Sequence, residues 1–245
     1  MPYHEAVALR AVPWKDQHLI VTLFVRNTGR VEAMVFGSRS FKSKLKRIYF
    51  MPLNQLTVSF APVRRTGGLP MLSECQFRCL PKLGVDPVSN MYRQFVAELL
   101  INLIQEQSNE VHVWELLEQY AKWLCSEQRR GLYPGTVWFL IQLCEHLGVG
   151  NIKSEEILVT QMPTSALESS SGKSLIQKLD QMKYLVLGEA DTVSIDTPHR
   201  LAVLKGISGH LLTSFGLTRP LKTLEYFEEQ KLKMAGATKP PTSEG

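Results

Sequence analysis

At 245 residues the chain has room for one large domain or two small ones, and with 44% hydrophobic and 21% charged residues it has the composition of a folded protein rather than a disordered one. No apolar run reaches the roughly eighteen residues of a membrane helix, and the opening MPYHEAVALR lacks an apolar signal segment, so a cytoplasmic protein is expected. The net charge of +5 is unevenly placed: seven basic residues between Arg26 and Arg47 stand against Glu32 alone, a local +6 that leaves the remainder at −1.

In chain order, Glu5 to Val12 (EAVALRAV), His18 to Val25 (HLIVTLFV), Arg30 to Phe36 (RVEAMVF), Leu56 to Phe60 (LTVSF) and Met71 to Cys79 (MLSECQFRC) read as short strands, rich in β-branched and aromatic residues. In LTVSF, Leu56, Val58 and Phe60 alternate with Thr57 and Ser59, the period of a sheet with one wet face. RNTG supplies Asn27 and Gly29, which tolerate the positive φ of a tight hairpin. Pro13, the basic stretch FGSRSFKSKLKR and TGGLP separate the other strands. Five short strands in about eighty residues predict a small closed barrel, OB-like or SH3-like, and a five-stranded Greek-key barrel is a common nucleic-acid binder.

After Pro87 the period changes to that of helices. Tyr92, Phe95, Val96, Leu99, Leu100, Leu103 and Ile104 share one helical face, and a second helix is expected over Val113 to Cys125. Val137 to Gly148 begins apolar on all sides, which predicts a central buried helix ending at Gly148. Asn151 to Asp196 is mixed, with LESSSGKS as its expected exposed loop. Thr197 and Pro198 look like an N-cap and first-turn proline for a helix that buries Leu201, Leu204, Leu211, Leu212 and Phe215. Gly206 and Gly209 weaken that helix by roughly 1 kcal/mol each relative to Ala unless close packing requires them. The expected organisation is therefore α+β: a barrel over 1–80, a mostly α-helical domain over 81–230 and a disordered tail over 231–245, with no internal repeat.

Familiar catalytic patterns are missing. SSSGKS ends like a phosphate-binding loop, but Leu167 stands where the leading glycine belongs, so a helix start after a flexible loop is the better reading. Cys75 and Cys79, on one face of a strand, would lie about 13 Å apart, too far to share a zinc. Cys125 and Cys144 sit in apolar helical runs where reduced thiols pack. The six histidines stand singly, His210 facing solvent, and GxSxG and HExxH are absent. Binding is thus favoured over catalysis, with no metal and no cofactor expected.

The basic stretch is where binding would occur. Lys and Arg neutralise phosphates and release counterions, while aromatic faces stack on bases. Arg26, Arg30, Arg39, Lys42, Lys44, Lys46 and Arg47 are the candidate phosphate contacts, and Phe41, flanked by Ser40 and Lys42, is the candidate stacking residue. Phe50 is a better core residue than platform, and Tyr49 could be either. Nothing here reads base edges, so binding largely independent of sequence is expected.

Ala6 to Phe60 resembles the opening of the bacterial RecO family of DNA repair proteins. The shared order is an apolar strand (Val7 to Val12), a polar turn (Pro13 to Gln17), a strand and hairpin ending in Gly-Arg (Leu19 to Arg30), a Gly-x-Arg (Gly37 to Arg39), a basic loop (Lys42 to Arg47) and an apolar Pro-containing segment (Phe50 to Leu56). Weaker similarity continues into Leu140 to Gly150 and Leu217 to Phe227. The resemblance implies an N-terminal OB-fold, a mostly helical domain, and binding and annealing of single-stranded DNA without ATP in recombinational repair. Double-stranded DNA is a further candidate ligand. The implied partners are RecR and the acidic, aromatic-ended C-terminal tail of the single-stranded DNA-binding protein, docking on the helical domain. Val137 to Gly148 contains no Lys or Arg, which leaves Lys122, Arg129 and Arg130 as the nearest basic residues for that tail. Many relatives carry a four-cysteine zinc site just past the segment matching Leu140 to Gly150, but NIKSEEILVTQMPT has no cysteine. The competing expectations are a protein-binding adaptor and an RNA-binding barrel; a membrane-surface role is disfavoured because no amphipathic helix or lipid anchor flanks the charge.

Overall fold

The computed structural model describes residues 2–15, 17–37, 45–61, 68–79, 86–106, 108, 110–125 and 131–237. Five antiparallel strands come first: β1 (Tyr3–Trp14), β2 (His18–Val25), β3 (Gly29–Val35), β4 (Gln55–Phe60) and β5 (Leu72–Phe77), ordered β3-β2-β1-β4-β5. The two outer strands meet at a bridge between Met34 and Met71, where the Met34 N–H donates to the Pro70 carbonyl at 2.8 Å. With β1 between β2 and β4, and β5 reaching β3, the sheet closes as a Greek-key barrel of the OB type; an SH3-like meander has a different order. The predicted hairpin is present, with Asn27 at φ 60° and Gly29 at φ 91°.

Odd-numbered residues of β2 and β3 fill the barrel: Leu19, Val21, Leu23, Val25, Ala33 and Val35 are buried with Ala6, Ala8, Phe50, Leu56 and Val58. Even-numbered residues point outward, as the two-residue period of strands requires. On β1 a bulge between Ala8 and Arg10 breaks the alternation. Ala8 there exchanges bonds with the turn before β4, donating to Asn54 at 2.9 Å and accepting from Leu53 at 2.7 Å. As a result Val7 and Leu9, together with Phe24 of β2, belong to the core of the helical region, while Arg10, Val12 and Trp14 continue along the outer face. Pro13 does not end the strand as expected. The register of β1 with β4 stops at Val7, so a missing N–H at Pro13 removes no bond on that side.

The described helices are α1 (Pro87–Leu103), α2 (Val111–Cys125), α3 (Leu132–His146), α4 (Ser154–Leu158), α5 (Thr164–Glu168), α6 (Ser170–Met182), α7 (Leu187–Ala190), α8 (Thr197–Ser214) and α9 (Lys222–Ala237). The α1 face is buried as predicted, and α3 is the central helix. It begins five residues before Val137 because LYPGT, which reads as a turn, forms its first turns. Pro134 is tolerated that early in a helix, and a Cβ on Gly135 would collide with the Trp123 indole. Phe24 meets Trp114 of α2 edge-on at 5.6 Å, so the barrel's outer face and the helices share one core.

Several expectations are corrected. LESSSGKS is not an extended loop: α5 ends at Glu168, and Ser169 caps α6, its hydroxyl accepting from the Gly172 N–H at 3.1 Å. Asp196, not Thr197, occupies the α8 N-cap position, and Phe215 is 44% exposed beyond the end of that helix. His210 is half-buried and bonded to the Val149 carbonyl at 2.9 Å. His112 and His146 stack at 5.9 Å instead of standing singly. Cys79 lies past the end of β5, its thiol against that of Cys125. α9 runs to Ala237, so the tail expected from residue 231 starts within a helix.

Two contacts fix the barrel against the helices. Glu5 accepts from Arg26 at 2.7 Å and from Arg78 at 2.7 Å, and Arg78 also reaches Glu118 of α2 at 2.8 Å. At the β2–β3 hairpin, Gly29 lies so close to Ser108 that a Cβ would collide with the Ser108 carbonyl.

The two α8 glycines differ. A Cβ on Gly206 would lie 3.0 Å from both the Ile157 carbonyl oxygen and its Cγ2, whereas at Gly209 it would meet nothing within 4 Å. Gly209→Ala should therefore raise stability by about 0.5–1 kcal/mol, and Gly206→Ala should give no gain or a loss. Urea denaturation of the two single variants measures the difference.

Candidate nucleic-acid interface

The strand register divides the outer face of β1–β3 into two halves. At one end the row Val7, Phe24, Arg30 is covered by helices. Next comes Arg10, Thr22, Glu32, where Arg10 and Glu32 approach to 3.9 Å. The following row, Val12, Ile20, Met34, continues through the barrel-closing bridge to Met71. At the far end Trp14 pairs with His18, whose ring meets Phe36 edge-on at 4.6 Å. No described helix covers these last rows: Val12 is 42% exposed, Trp14 44%, Phe36 50% and Met71 42%. The Gly37 N–H donates to His18 Nδ1 at 3.2 Å, tying the end of β3 to the start of β2. Lys15 is exposed at the β1–β2 turn with φ 51°.

This apolar and aromatic platform leads into residues 38–44. Arg39, Phe41, Lys42 and Lys44 lie outside the described residues, as do Arg129 and Arg130. Where the chain returns, Leu45 is buried and Lys46 and Arg47 are exposed, at the start of a 3-10 turn over Arg47–Phe50. The buried Asn54 amide holds that turn by donating to the Ile48 and Tyr49 carbonyls at 2.9 and 3.2 Å. Phe50 is core, and Tyr49 stacks on Phe77 at 4.5 Å, so neither ring is offered to a ligand.

Two of the sequence-based candidates have other work. Arg26 is engaged by Glu5. Arg30 reaches across to the end of α1 and the segment after it, donating to the Ile101 carbonyl in the last turn of α1 and facing Glu106 at 3.5 Å, with its side chain only 21% exposed. Both arginines belong to the seam between barrel and helices. Lys122 is exposed on α2.

Three of the four thiols are poor nucleophiles: burial pushes Cys75 and Cys144 up to about 12 and Cys125 to about 11. Among the described residues no three His, Cys, Asp or Glu side chains are grouped to hold a metal ion. No described helix is long and apolar enough to cross a membrane.

Sequence reasoning missed Trp14, His18 and Phe36. HLIVTLFV is apolar on both faces, and only the pairing register tells which outward residues the helices cover. A tryptophan beside a lysine at a hairpin turn was the available signal.

Residues 1–78, which span the five strands, match the family model "Recombination protein O N terminal". Over this N-terminal region the chain is similar to the RecO family. It is 32% identical over 152 residues to the DNA repair protein RecO of Acidithiobacillus ferrooxidans, covering 60% of this chain and 54% of that protein. Identity to the RecO of Phocaeicola vulgatus is 28% over 147 residues, 58% and 59% of the two chains. With the RecO of Bacillus cereus it is 24% over 122 residues, 49% and 48%. The matches thus span about half the length of these curated relatives. The matched N-terminal region ends one residue past β5, at the Arg78 that bonds to both Glu5 and Glu118.

Because Arg30 bonds within the protein, Arg30→Ala should act on folding. Loss of its hydrogen bonds should lower stability by about 1–3 kcal/mol, read as a shifted urea midpoint. A fully stable variant with weakened oligonucleotide binding would instead return Arg30 to the ligand surface.

Proposed function

We propose that this chain is a non-enzymatic recombination mediator that binds single-stranded DNA and anneals complementary strands without ATP. The observation that carries the proposal is the exposed Trp14–His18–Phe36 cluster on the strand 2–3 side of an OB barrel, next to the basic segment. Every base has a π-face, so an aromatic platform holds a strand without reading its sequence, while flanking cations neutralise the phosphates. Arg10, Lys15, Lys46 and Arg47 are exposed cations on or bordering the β1–β3 unit, while the exposed Arg26 is paired with Glu5; Arg39, Lys42 and Lys44, with Phe41, extend the same segment. Reduced charge repulsion between two bound strands would let complementary bases meet. The names of the relatives support a role in DNA repair, and the family resemblance supports RecR and the single-stranded DNA-binding protein as partners. Lys122, Arg129 and Arg130 are the residues proposed to receive the acidic tail.

Binding of a labelled oligo-dT should fall by roughly fivefold or more in Trp14→Ala and again in Phe36→Ala, as expected if each ring stacks one base for about 1–3 kcal/mol. Unchanged affinity in folded variants would remove the platform from the interface. Contact with four phosphates should give a log-log salt slope near −3, measured by repeating the titration from low to physiological salt. A matched RNA competitor should bind no better than DNA; preference for RNA would favour the RNA-binding alternative.

A further inference from the structure

A groove of about 1330 Å³ lies between the barrel and the helices. Its barrel wall carries Arg10 of β1 and Arg47 of the 3-10 turn; its helical wall carries Arg219 just before α9 and Lys222 at the start of α9. All four are exposed, and among the described residues no ion pair engages the side chains of Arg47, Arg219 or Lys222. Two carboxylates, Glu98 and Glu225, also line it, but Glu98 is occupied, accepting the Lys222 and Thr223 N–H groups at 2.9 and 3.0 Å. Against these two carboxylates the lining sets Arg10, Arg30, Arg47, Arg219 and Lys222, so the groove is net positive. Two polar atoms in the lining, Arg30 Nε and Asn90 Oδ1, are buried without a hydrogen-bond partner.

Arg10 is the hinge between sites. It stands on the same outer face as Val12 and Trp14, one row from the platform, and it also lines the groove.

Building on the reading under Proposed function, we infer that this groove is a second segment of the single-stranded nucleic-acid path, binding phosphodiester backbone that has passed over the platform and Arg10. The platform holds bases through rings; the groove holds phosphates through cations from both halves of the chain. A strand long enough to occupy both gains contacts that a short strand lacks. The helical region thereby contributes directly to DNA affinity, through Arg219 and Lys222.

The test compares oligo-dT of about 8 and about 24 nucleotides, lengths chosen to fill the barrel site alone or to run beyond it. In the full chain, Arg219→Gln with Lys222→Gln should leave binding of the short oligonucleotide within about twofold. The same pair should weaken the long one about tenfold or more and reduce its salt slope by about 1.4, the loss of two phosphate contacts. These side chains leave the Glu98 bonds to backbone intact, and circular dichroism checks folding; Arg219→Glu alone is the second variant. Unchanged binding at both lengths, or equal loss at both, overturns the inference. A groove variant that stops binding a poly-glutamate peptide but keeps its length dependence assigns the groove to an acidic protein segment and overturns it too. Trp14→Ala separates the two claims. If it weakens the short oligonucleotide while the groove variants match the wild type, only the groove fails; if the wild type binds neither length, the platform reading fails with it.

Discussion

The structure rests on how one sheet face is shared. The outer surface of β1–β3 serves at one end as core for the helices and at the other as open surface, and the bulge at Leu9 lies where the two uses meet. Without the extra residue, the alternation of β1 would place either Leu9 or Arg10 on the wrong side. With it, Leu9 is buried among the helices and Arg10 begins the exposed part. A local irregularity thus keeps the apolar seam and the proposed ligand surface on adjoining parts of the same strands.

Charge is divided in the same way. Arg26, Arg30 and Arg78 are spent on Glu5, Glu106, the Ile101 carbonyl and Glu118, which join β1, β3 and β5 to the helical region. The Arg78 pairs and the Arg30 bond to the Ile101 carbonyl are partly buried, where an arginine's planar fork is worth more than a fully solvated lysine. The cations at the groove are exposed, and three of them carry no ion pair among the described residues. Local density of Lys and Arg along a chain therefore says little about which of them meet an external anion.

Much of the fold was legible beforehand because it follows from short-range rules. All five strands were found within a few residues, the Asn27–Gly29 hairpin followed from φ preferences, and the face of α1 followed from its period. The errors lie where tertiary contacts override local signals. Pro13 stays in a strand because β4 has already left β1, and α3 starts at Leu132, ahead of Val137, because Pro134 falls in its first turn, where a missing N–H breaks no helical bond. The site was only partly legible. Charge pointed to the barrel as the expected place of the candidate site, but the exposure of Trp14 and Phe36 depends on which rows the helices cover, and the groove depends on residues far apart in sequence meeting across an interface.

The close approach of Gly29 to Ser108 bears on mechanics. Backbone meets backbone at the hairpin tip, and the Arg78–carboxylate pairs join the end of β5 to β1 and α2. On the proposed path, a polymer gripped by one half is thereby aimed at the other, and ties made before it arrives lower the ordering cost of binding.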